Sequence, residues 1–112
     1  MTVRDAQGSV AITATLVAVG STSVTFDLAL DTHVGSLDAV DLKGLATLRV
    51  DAGPELKPSV WGPAAGGHHR TGRLSFEVKP APSGASTLTL TIKGVGGATS
   101  RVFRWTLAAK ER

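Results

Sequence analysis

Three histidines are the side chains of this 112-residue chain whose type and placement point most directly to a chemistry. His33 closes the run Asp31-Thr32-His33, while His68 and His69 sit in Gly66-Gly67-His68-His69-Arg70. Imidazole is a common transition-metal ligand and the side chain that titrates nearest neutrality. Residues two apart at an extended strand end point the same way, so Asp31 and His33 make a two-donor unit. His68 or His69, on a loop that Gly66-Gly67 allows to bend, completes a set of nitrogen and oxygen donors. Such a set suits Zn²⁺, Cu²⁺ or Ni²⁺ rather than Ca²⁺ or Mg²⁺. The expected metal site is therefore Asp31, His33, His68 and His69, with copper or zinc as the cofactor. In the contrasting reading these are loop histidines whose rings hydrogen-bond the backbone and brace two adjacent loops. Within the metal reading, an alternative places His69 behind the ligands or pairs it with Asp38 or Asp41.

Other chemistry is poorly supported. A Ser36, His33 and Asp38 arrangement can be drawn, but no GxSxG nucleophile turn exists. The three glutamates, Glu55, Glu77 and Glu111, fall on a turn, an outward strand position and the tail, so no paired-carboxylate site forms. Gly94-Val95-Gly96-Gly97 lacks the Lys-Ser/Thr and the following helix of a phosphate loop. With no cysteine there are no disulfides, thiolate nucleophiles, zinc fingers or blue-copper centre. The chain is expected not to be an enzyme.

The elements that must position the histidines have period two. Val10, Ile12, Ala14 and Leu16 alternate with small or polar partners, as do Val24, Phe26, Leu28 and Leu30. Leu48 and Val50, Leu74, Phe76 and Val78, Leu88, Leu90 and Ile92, and Phe103, Trp105 and Leu107 continue the pattern. A short strand from about Leu56 to Trp61 contains Pro58, which cannot donate to a ladder and so marks an edge. Gly20-Ser21, Ala52-Gly53-Pro54-Glu55 and Pro80-Ala81-Pro82-Ser83-Gly84 are turns by composition. Ser36 to Gly44 could form one helical turn, capped by Ser36 or Asp38 and ended by Gly44. Thr87, Thr89 and Thr91 form a threonine face beside Thr13 and Thr15.

Seven short strands at this spacing predict an all-β fold, a seven-stranded antiparallel immunoglobulin-like β-sandwich with Greek-key character. It is a single domain over residues 1–112, with an ordered core at about 8–108. If successive strands alternate in direction, the connections at 32–44, 62–70 and 94–100 share one end of the sandwich. Both histidine loops are among them.

Composition agrees with a globular domain. It is 42% hydrophobic and 19% charged, with five aromatic residues and no tyrosine, so Val, Leu and Ile must fill most of the core. Net charge is +3 without a basic run, which argues against nucleic-acid binding. No segment approaches the length of an apolar membrane span. Met1-Thr2-Val3-Arg4 does not begin a signal peptide, since no apolar run follows before Val10.

Three stretches taken together resemble a known pattern. Leu30-Asp31-Thr32-His33, Pro58-Ser59-Val60-Trp61 and Gly67-His68-His69-Arg70-Thr71-Gly72-Arg73-Leu74-Ser75-Phe76 are similar to an LDTH…W…GHHxxGxLxF signature. It is carried by a small group of bacterial and archaeal domains exported or tethered outside the membrane. The likeness covers about Val24 to Leu107. Val34-Gly35-Ser36 lengthens the run between the DTH and the next Asp-Leu. The resemblance implies an extracytoplasmic setting and a purpose for the histidines, but no activity. The expected function is a non-catalytic binding module with a divalent transition-metal site at the histidine end. Its rival is a structural or adhesion domain that meets a protein partner through its sheet edges and loops.

Overall fold

Val24, Phe26, Leu28 and Leu30 alternate with Thr25, Asp27, Ala29 and Asp31, and in the computed structural model this stretch is the central strand of the larger sheet. The structure describes residues 2–32, 34, 37, 40–62, 69–82, 86–96 and 98–107. They form β1 (Thr2–Gln7), β2 (Val10–Val19), β3 (Ser23–Thr32), α1 (Leu42–Leu45), β4 (Ala46–Val50), β5 (Pro58–Gly62), β6 (His69–Glu77), β7 (Thr87–Lys93) and β8 (Ser100–Thr106). A five-stranded sheet has the order β1-β2-β3-β6-β5, and a three-stranded sheet the order β4-β7-β8. All pairings are antiparallel.

The strands turn most of their large apolar residues to the space between the sheets, where they share one core, while Val17, Val19, Val60 and Val102 remain exposed. Phe26 of the larger sheet meets Trp105 of the smaller one at 4.9 Å between ring centres. Phe76 packs edge-on against Phe26 at 6.0 Å, and Phe103 stacks beside Trp105 at 6.4 Å. Burying each such side chain is worth about 1.5–3 kcal/mol before conformational entropy is set against it. Every inward position named above on β3, β6, β7 and β8 is buried except Leu107, which is partly buried. At the β5 edge Pro58 opens an edge strand, as its missing N–H requires.

The architecture differs from expectation in three places. Among the described residues there are eight strands rather than seven, because residues 2–7 form β1. Gln7 pairs with Val10 across the two-residue turn Gly8-Ser9, and Gly8 takes a φ of 61° that a side chain would resist. The helical turn is Leu42–Leu45. Its cap is Asp41, whose carboxylate accepts from the Lys43 N–H at 3.1 Å, and Gly44 lies inside it. Ser36 and Asp38 are outside the described residues. Finally, Thr13 and Thr15 lie on the outer face of the larger sheet and Thr87, Thr89 and Thr91 on that of the smaller, so they form two faces.

Candidate functional site

β3 and β6 run side by side, and their last outward rung pairs Asp31 with His69. Both side chains leave the outer face, because Leu30 and Thr32 on one strand and Arg70 on the other point inward. His69 Nδ1 rests against Asp31 Oδ1. The imidazole is 83% exposed and the carboxylate 45%. A carboxylate on Nδ1 fixes the ring plane and leaves Nε2 as the nitrogen for an outside partner.

Two of the four expected ligands are thus brought together. His33 follows β3 directly in sequence and His68 precedes β6, but both lie outside the described residues. Among the described residues no three His, Asp or Glu side chains gather closely enough to hold an ion.

The residue after His69 turns the other way. Arg70 is buried, and its guanidinium donates to the carbonyls of Leu37, at 3.1 Å, and Val40. It thereby ties the start of β6 to the β3–β4 connection. The same guanidinium lies 5.1 Å from the centre of the Trp61 ring. Trp61 in turn lies over Gly72, where a Cβ would stand 3.0 Å from Trp61 Cζ3 and 2.6 Å from the Gly62 carbonyl oxygen. Gly72 is needed for the indole to lie that low. Trp61 is therefore a partly buried packing residue under this end of the sheet.

A second buried arginine closes the neighbouring corner. Arg101 opens the inward row Arg101, Phe103, Trp105 and has no exposed surface. Nη1 donates to the Asp5 and Val10 carbonyls at 3.1 and 2.9 Å and to the Asp5 carboxylate at 3.2 Å. Nη2 donates to the carbonyls of Gln7 and Val95 at 2.9 Å each. One side chain thus pins β1, the start of β2 and the β7–β8 turn. Burial lowers its pKa from the ordinary arginine value, opposed by the charge and hydrogen bond of Asp5. Gly96 in that turn has a φ of 65°, and a Cβ there would meet Val10 Cγ2 at 2.5 Å. The glycine-rich turn is packed structure here, in keeping with its missing phosphate-loop residues.

Neither arginine was recognised from the sequence. The signal was available, since both occupy inward registers, at 70, 72, 74, 76 and at 101, 103, 105. A charge at such a position needs several acceptors, and only the folded chain supplies them. Comparison of the chain with protein-family models, with curated proteins and with solved structures finds no match to any of them.

Proposed function

We propose that this domain is a non-catalytic binding module whose histidine end holds a divalent transition metal, zinc or copper, through imidazole nitrogens. The observation that carries the reading is the Asp31–His69 rung. It presents one oriented imidazole at the point where the sequence supplies two more, His33 and His68. In this reading Asp31 supports the ring of His69 from behind rather than binding the ion itself, an arrangement common around metal-bound histidine. Arg70 already ties the start of β6 to the β3–β4 connection, so bracing there does not require the histidines. The remaining alternative, a structural or adhesion domain, is what stands if no metal binds.

The scaffold reading is immunoglobulin-like. With β1 set aside, the order β2-β3-β6-β5 facing β4-β7-β8 reads as A-B-E-D facing C-F-G, the arrangement of immunoglobulin constant domains. β1 is then an added edge strand. Loops at one end of a rigid scaffold ordinarily carry binding, and the proposed extracytoplasmic setting rests on the resemblance of the histidine stretches alone.

Calorimetric titration of tag-free protein with Zn²⁺ and Cu²⁺ tests the metal reading. Binding at about pH 7.5 should weaken at about pH 5.5, on the other side of the ordinary imidazole value of about 6.5, because protons compete for the ring nitrogens. His33→Ala and His69→Ala should each abolish it. Asp31→Asn should weaken it by about 10–100-fold while leaving it measurable. No binding by wild type, or binding indifferent to His33, rejects the site.

A further inference from the structure

The outer face of the five-stranded sheet carries a shallow concavity of about 510 Å³, one outward rung along from the Asp31–His69 pair, which does not line it. Two adjacent outward rungs build it, Thr13–Ala29–Thr71 and Thr15–Asp27–Arg73, each crossing β2, β3 and β6. Between the rungs only the backbone of Leu28 and Gly72 reaches this face, so the floor is the Ala29 methyl and peptide planes. Three strands span about 10 Å and two rungs about 7 Å, the footprint of a mono- or disaccharide.

The chemistry of the walls selects among ligands. Arg73 Nε donates to Asp27 Oδ1 at 2.8 Å, so the two charges at this site cancel. An anion meets a guanidinium whose charge Asp27 offsets, and a cation a carboxylate that Arg73 offsets, so neither is favoured over a neutral ligand that uses both groups. An apolar ligand would have to strip water from the pair and from three hydroxyls, which is costly. An extended peptide adding to a sheet needs free backbone groups, and β3 is paired on both sides here. What remains is a neutral ligand dense in hydroxyls with one flat C–H face. Its hydroxyls both donate and accept, matching Asp27 as acceptor, Arg73 as donor and Thr13 and Thr71 as either, while the Thr15 hydroxyl already shares a hydrogen bond with Thr2 at 3.0 Å. Its C–H face sits on the Ala29 methyl and the threonine methyls. Pockets of this volume ordinarily hold small molecules by such a combination of apolar floor and few polar groups.

We infer that this face binds a neutral saccharide, one to two sugar rings lying across β2, β3 and β6 with their hydroxyls on Asp27 and Arg73.

Affinity electrophoresis in gels containing neutral glucans, mannans and galactans, with an anionic polysaccharide as a separate arm, tests it. Wild type should be retarded by at least one neutral polymer. The matching disaccharide should shift the amide resonances of Ala29 and Thr71 and leave that of Thr89, on the opposite sheet, in place. Ala29→Leu fills the floor, and Asp27→Ala with Arg73→Ala removes the polar pair. Each should reduce binding by roughly tenfold or more, the scale of a lost hydrogen bond to a charged group. Circular dichroism should show both variants folded, since the positions face solvent. Retardation only by the anionic polymer, retardation unchanged in both folded variants, or no retardation by any neutral polymer would each overturn the assignment. None of the substituted positions is a proposed metal donor, so gels run without metal read this site apart from the histidine end, and the failure of one is distinguishable from the failure of the other.

Discussion

The guanidinium of Arg70 lies 5.1 Å from the centre of the Trp61 ring, and the same group donates to two carbonyls of the β3–β4 connection. One side chain thus joins the β5 edge, the start of β6 and the loop that follows β3. Next to it, His69 points outward against Asp31. Alternation along a single strand separates a structural arginine from a solvent-facing histidine within one peptide unit.

Arg70→Met keeps most of the volume but leaves the Leu37 and Val40 carbonyls without their donor and removes the cation–π contact. Stability measured by urea unfolding should fall by about 2 kcal/mol. Gly72→Ala should cost about 1–3 kcal/mol, because its methyl pushes Trp61 and Gly62 away from β6. If Gly72→Ala is neutral, the indole does not lie where it is described.

Arg101→Met should be the more damaging arginine substitution, at about 3–5 kcal/mol, since five acceptors lose their donor and Asp5 loses its cation. Asp5→Asn keeps the carbonyl contacts and should cost only about 1 kcal/mol. Hydrogen exchange should show the loss concentrated in β1, whose amides should lose protection ahead of those in β3 and β6.

Phe26→Ala and Phe76→Ala should each cost about 3–5 kcal/mol, a large share of the 5–15 kcal/mol typical of a domain. Both rings are fully buried, and Phe26 touches aromatic rings in both sheets. Thermal melts should show both variants largely unfolded at temperatures where wild type is folded. A melting point within a degree or two of wild type contradicts the packing.

On the metal reading, free Zn²⁺ or Cu²⁺ at about 100-fold over its Kd should stabilise the fold by about 2.7 kcal/mol. The rise in melting temperature should follow the logarithm of free metal and disappear with chelator. It should shrink as pH falls into the imidazole range. A rise that survives His69→Ala would place the ion elsewhere.

Strand identity was legible in the residues because burial on a sheet face repeats every second position. Val24 to Leu30 and Leu88 to Ile92 read as strands, and Pro58 as an edge, with no partner specified. The shared end of the histidine loops followed from strand alternation alone; Arg70 ties the start of β6 to the β3–β4 connection there, and Arg101 ties the β7–β8 turn to β1 and β2. β1 could not be read in this way. In Thr2–Gln7 the inward positions are Val3, Asp5 and Gln7, and two of them are polar, so no apolar period announces the strand. It is held by β2 and by Arg101, more than ninety positions away in the chain. Tertiary structure alone decided which sheet each strand joined, and so placed Thr13 and Thr15 on a different face from Thr87, Thr89 and Thr91. It also decided that two arginines could be buried. The carbonyls that accept from their N–H groups come from three segments, 5–10, 37–40 and 95, which are distant from one another in sequence and adjacent only once the sheets have closed.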